Sequence, residues 1–273
     1  MSQSDIVALV NCGSSLLLLI VTIISVICAF KAYHHQKERA KKEAACQLAR
    51  IYADEILLQY QIVSSVFVRS KLLEFIKATF PMDEFSSFTV QEMLELALRA
   101  HIKVDNLTTK MEDFDPLCIL DVMARATTSV HDRDALYETY SEIDKNSGIR
   151  IPKNTVFLRY QFGDTISHLL NTLEWFSMNC RYGLADEEVL YQSIHQTFLS
   201  TVWMLYYYIS KNNTKNEDKF YTNTIWLFQK WKARLSEQKE VAAQEQQEAL
   251  TMMETARKQY NNAGSNYAGK VLK

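Results

Sequence analysis

Proline and glycine are scarce in this chain, three and six in 273 residues. Few tight turns can be built without them, and the dipeptides Asn-Gly and Asp-Gly that mark two-residue β-hairpins are absent. Long helices are the expected architecture. Cysteine is sparse too: five residues, no C-x-x-C, and no histidine spaced to complete a zinc set. Neither a disulfide framework nor a structural metal is signalled, which suits a reducing compartment. No charge sign dominates, with 30 Lys and Arg against 32 Asp and Glu, a net of −2. A general nucleic-acid binder carries a basic face, so nucleic acid is not an expected partner. The sequence holds no glycine-rich phosphate loop, no G-x-S-x-G and no H-E-x-x-H, so no cofactor is expected.

What the chain does have is one long apolar run. Ile6–Phe30 contains no charged residue and ends at Lys31. A helix rises about 1.5 Å per residue and a bilayer core is about 30 Å thick, so about 20 apolar residues suffice to cross it. Its polar members, Asn11, Ser14, Ser15, Thr22 and Ser25, are small or near an end, where intrahelical bonds or water can satisfy them. A cleaved signal peptide would show a basic start, a shorter apolar core and a small-residue cleavage site. Met1–Asp5 has an acid and no basic side chain, and no such site follows. The run therefore reads as a retained single-pass anchor. Lys31, Lys37, Arg39, Lys41 and Lys42 follow it, opposed only by Glu38 and Glu43. Basic flanks stay cytoplasmic, which puts residues 1–5 outside and everything after the span inside. Membrane lipid is one expected partner of this cluster.

Residues 31–80 contain no Gly or Pro and predict one helix. Its 31–50 part reads as a basic stalk. Its second half carries a face of Leu48, Ile51, Leu58, Ile62, Val66, Leu73, Ile76 and Phe80, ended by Pro81. Thr89-Val-Gln-Glu92 is a capping box opening a helix to about Lys103. Asp115-Pro116 opens another, to about Ala126. A third runs from near Asp132 to Asn146-Ser-Gly148, and Ile149–Lys153 reads as a linker. Helices then follow from Asn154 to Tyr182, from Glu187 to Ile209 behind an Asp186 cap, and from Phe220 to about Gln259. Lys211–Asp218 reads as a polar loop. Val189–Ser210 is uncharged, but its Gln, Ser, Thr and His are costly in lipid, so it reads as a buried bundle helix. Leu235, Ala242, Ala249 and Ala256 fall seven apart beside a mostly polar companion seam, the pattern of a weak coiled coil or an exposed helix. The expected class is all-α: a transmembrane helix (6–30), a stalk (31–50), and a cytoplasmic bundle of about six helices in two sub-bundles (51–150 and 151–260). A flexible tail (261–273) closes it.

Within Gly163–Trp231 the motifs Leu170-Asn171-Thr-Leu-Glu174, Gly183-Leu-Ala-Asp186-Glu-Glu-Val and Phe220-Tyr-x5-Leu227-x3-Trp231 flank an aromatic helix ending at Ile209. This block resembles a bacterial and prophage-borne family of small membrane-anchored helical proteins, classed as a domain of unknown function. Lys211 stands where that family carries arginine, and the first cytoplasmic half does not share the pattern. The resemblance implies a bacterial or prophage setting, an inner-membrane location and a helical fold. It brings no activity.

Three groups of residues could carry chemistry or contacts. Arg125-x5-His131 fits the arginine–histidine pattern of all-helical RNA-cleaving domains, in which Arg stabilises phosphate charge and His moves a proton. His131-Asp132 looks like a metal-binding HD pair with His101 and Asp121 as further ligands, while Asp132 as a helix cap is the structural alternative. His168 and His195 lie in apolar helices and read as hydrogen-bonded structural histidines. Trp175, Trp203, Trp226 and Trp231, with Tyr206, Tyr207 and Tyr208, form an aromatic set that is either core or, through Trp203, Tyr207, Trp226 and Trp231, the anchors of a partner groove. The leading expectation is a non-enzymatic interaction module of the bacterial inner membrane, in phage exclusion or defence. Its protein partner is unspecified and includes a second copy of itself. The alternatives are a membrane-anchored RNA nuclease using Arg125 and His131, and a self-associating scaffold.

Overall fold

A computed structural model describes residues 3–127, 129–214 and 219–271, with side chains between Leu16 and Lys258. Its described residues are helical but for one short hairpin. Helix α1 (Gln3–Ile51) runs without interruption from the apolar segment into the basic one. Every residue from Leu16 to Lys37 is exposed, and the apolar part is long enough to cross a membrane. Thr22 and Ser25 donate to the carbonyls of Leu18 and Val21, each at 2.8 Å, so these hydroxyls are satisfied within the helix. Asn11, Ser14 and Ser15 lie outside the described side chains.

The expected helix over 31–80 is broken twice. A π-turn, Tyr52–Ile56, joins α1 to α2 (Leu57–Arg69). An i→i+5 turn takes in one extra residue and rotates everything after it around the axis. That moves the buried stripe. Ala45, Leu48, Tyr52, Ile56, Val63, Val66 and Phe67 are buried, whereas Leu58, expected in the core, is exposed. The bundle thus begins at Ala45, inside the segment expected to be all stalk. Lys71, in the left-handed region (φ 56°), then ends α2 and redirects α3 (Leu72–Thr79).

Thr89 caps α4 (Val90–Arg99) by accepting from the Glu92 amide at 3.3 Å. The other half of the expected capping box differs. The Glu92 carboxylate accepts from the Ser86 amide at 2.7 Å, from the Ser87 amide and hydroxyl, and from Tyr206 Oη at 3.1 Å. His101 (φ 61°) stops α4 four residues early, and an unexpected helix α5 (Val104–Glu112) follows. Asp115 caps α6 (Pro116–Ala126), accepting from Leu117 at 3.0 Å. Helix α7 (Val130–Tyr140) is capped by Ser129, not Asp132.

Strands β1 (Ser141–Ile143) and β2 (Arg150–Pro152) replace the expected end of that helix and its linker. They pair antiparallel with Glu142 opposite Ile151. The turn is built by Asp144, whose carboxylate accepts from the Asn146 and Ser147 amides and the Ser147 hydroxyl, with Gly148 at φ 69° closing it. Three-residue strands leave no period-two signal, which is why the hairpin is invisible in the sequence.

A turn at Gly183 (φ 65°) joins helices α8 (Thr155–Arg181) and α9 (Glu187–Met204). Leu205 kinks the next element off as α10 (Tyr206–Asn212). Helix α11 (Thr222–Val271) closes the chain and continues through the stretch expected to be a flexible tail. No proline interrupts it there. Residues 215–218 of the expected polar loop lie outside the described residues. Residues from both halves of the cytoplasmic part share one buried cluster. Phe67, Phe114 and Phe162 meet in it, and so do Phe176, Phe198 and Trp231. The uncharged Val189–Ser210 stretch supplies Phe198, Leu199, Val202 and Tyr206 to this core.

Candidate interaction surfaces

Most of the aromatic anchors turn inward. Trp231 and Tyr207 are buried. Trp231 donates to Glu187 at 3.1 Å, and half-buried Trp203 donates to the Phe80 carbonyl at 2.8 Å. All three pack between helices, and Trp231 and Tyr207 present no free face. Trp226 is half-buried between the cations of Arg181 and Lys230, and Trp175 is 43% exposed. The expected aromatic groove is therefore reduced to single residues.

A carboxylate and an amide fix the start of the C-terminal helix. Glu174 accepts from the Asn223 amide (3.0 Å) and side chain (2.7 Å), and from the Thr224 amide and hydroxyl (both 2.9 Å). It caps α11 from another helix, satisfying donors that no residue upstream in α11 could reach. Asn171, one turn earlier, is exposed and takes no part. Buried Asn213 donates to the Phe88 and Phe220 carbonyls and accepts from the Phe220 amide at 2.7 Å. Glu174 falls in the motif Leu170-Asn171-Thr-Leu-Glu174, whereas Asn213 has no local signature.

Arg125 and His131 are both exposed, on α6 and α7. Arg125 lines a groove of about 530 Å3 between α2 and α6, with Leu58, Ile62, Ser65, Val68 and Arg69. His131 is not among its lining residues. Arg69 is bound to Asp121 at 3.1 Å, and Tyr137 donates to the same carboxylate at 2.9 Å. Burial pushes the Tyr137 phenol up, and that hydrogen bond adds to the effect. Among the described residues the groove has one arginine held by Asp121 and another without an acidic partner, and no histidine lines it. Among the described residues no cluster of His, Cys, Asp and Glu could hold a metal, so His101, Asp121, His131 and Asp132 do not converge. His168 meets Gln59 at 2.7 Å and His195 meets the Tyr191 carbonyl at 2.7 Å, both structural arrangements.

Comparison with known protein families, curated proteins and solved structures finds no match.

Beyond the apolar run, two further helical segments are uncovered. From Ser236 to Lys258 every residue of α11 is exposed, a described length of about 34 Å at about 1.5 Å per residue. One face carries Leu235, Ala242, Ala249, Met253 and Ala256; the opposite face carries Glu237, Glu240, Glu248 and Glu254. The other segment is the stalk, with Lys31, Lys37, Arg39 and Lys42 exposed and Lys41 half-buried. Both leave the bundle at the start of α9. The Asp186 amide, at its cap, donates to the Lys41 carbonyl at 3.1 Å. Two residues on, Glu188 takes both guanidinium nitrogens of Arg234 at 2.7 Å, and Tyr191 donates to Gln238 at 2.7 Å.

Proposed function

We propose that this chain is a membrane-tethered, non-enzymatic interaction module that displays the α11 arm from a rigid bundle. One observation carries the reading: an apolar helix continues unbroken into the bundle, and the bundle projects a helix that nothing in the chain covers. A long helix exposed on all sides gains nothing from core packing, so its sequence is not explained by folding of the bundle alone. Anchoring confines the arm to two dimensions and raises its effective concentration for a membrane-bound partner. The basic flank supports an orientation with residues 1–5 outside and the bundle in the cytoplasm. The block Gly163–Trp231 supports a bacterial inner membrane and a role in phage exclusion or defence, by resemblance alone.

The test is cross-linking in cells, followed by capture from detergent-solubilised membranes. The full chain is compared with one ending after Leu235 and with one whose residues 6–30 are replaced by an unrelated span. Capture that survives the anchor swap and vanishes with the arm supports the reading. A truncated chain with undiminished capture refutes the role of the arm. Release of the chain by carbonate washing refutes the anchor.

A further inference from the structure

We propose that the acidic face of the α11 arm docks on the basic stalk of a second copy of this chain. This deepens the interaction-module reading and rests on it. Over 237–254 the arm carries five glutamates against Lys239 alone. Among the described residues none of those glutamates forms an ion pair. Over 31–44 the stalk carries five bases against two acids, and its only described pair is the 3.9 Å contact of Lys41 with Glu38. Two helical segments of opposite net charge thus leave one corner of the bundle, and Glu237, Glu240, Glu248 and Glu254 share one side of the arm. At about 1.5 Å per residue the two segments measure about 27 Å and 21 Å, a matching span.

Within one chain the two segments do not pair: both α1 and α11 are continuous from the bundle into their free segments, and these share no hydrogen bond or ion pair in the described structure. A neighbouring copy is held in the same plane by its own anchor. Two reciprocal arm-on-stalk contacts form a closed two-fold pair, the commonest oligomer symmetry. Charge complementarity of this kind sets register and speeds encounter.

The experiment uses the full chain in neutral detergent and in zwitterionic vesicles, which removes anionic lipid as a competitor for the stalk. One population carries a single accessible cysteine at His35→Cys, with Cys12, Cys28 and Cys46 replaced by serine. A differently tagged population carries Gln247→Cys in the same background. A bismaleimide adduct joining the two tags is expected, and it can form only between chains. Reversing the arm (E237K, E240K, E248K) is expected to weaken dimerisation at least ~10-fold. Adding the stalk reversal K37E, R39E and K42E is expected to restore it to within ~3-fold of the original. A chain that stays monomeric overturns the proposal. So does a Gln247→Cys to Gln247→Cys adduct alone, which would mean arm-on-arm pairing through the alanine face. So does arm reversal that the stalk does not rescue. If the chain stays monomeric while its arm still captures another protein in cells, this proposal falls and the interaction-module reading stands.

Discussion

Replacing Glu174 tests the most concentrated set of polar contacts in the fold. Its carboxylate accepts four hydrogen bonds from Asn223 and Thr224, and Thr224 is fully buried. Glu174→Ala removes a charge-assisted cap, worth about 1–2 kcal/mol. It also strands a buried hydroxyl and amide, which costs a further 1–3 kcal/mol or so. Water can reach the half-buried site, so we expect a total of about 3 kcal/mol. Glu174→Gln keeps one acceptor oxygen but turns an NH2 toward N–H donors, and should cost about 2 kcal/mol. For a bundle of this size 1 kcal/mol shifts the midpoint by about 2–4 °C, so Glu174→Ala should melt about 6–12 °C below the parent. The assay is the 222 nm melt of the full chain in neutral detergent. Amide exchange at residues 223 and 224 provides a local readout. A Glu174→Ala melt within ~2 °C of the parent, or Glu174→Gln indistinguishable from it, would refute the capping argument.

Three further outcomes follow from the same geometry. Ala249→Pro should lower total helicity, because proline in a helix interior costs about 3 kcal/mol locally, yet leave the bundle melt within ~1 °C, since the arm touches nothing there; circular dichroism decides. Burial pushes the Cys180 thiol up to about 12. At pH 8 only about one molecule in 10^4 then carries the thiolate, so maleimide should label exposed Cys46 promptly and Cys180 only on unfolding. The hydroxyl of Ser147 and the amides of Asn146 and Ser147 hold the Asp144 carboxyl below its ordinary value. A depressed carboxylate contributes stability above its unfolded pKa of about 3.9 and loses it as pH falls through the folded value. Hairpin resonances should therefore be constant from pH 7 to 5 and broaden below about pH 4, and Asp144→Asn should abolish that step.

The sequence by itself determined the helical class, the apolar N-terminal helix and the caps at Thr89, Asp115 and Asp186. Each depends on neighbours within four residues, and local chemistry does not need the rest of the chain. Tertiary structure decided the rest. The π-turn at Tyr52–Ile56 re-aimed the core stripe and buried Tyr52 and Ile56, with the turn packed on α8, a rotation that periodicity cannot register. Glu92 turned from its own cap to Ser86, Ser87 and Tyr206, and Trp203 and Trp231 turned inward to Phe80 and Glu187. The emergence of stalk and arm at one corner joins residues nearly two hundred positions apart. A one-dimensional pattern carries charge and spacing, but only packing brings opposite charges onto neighbouring helices.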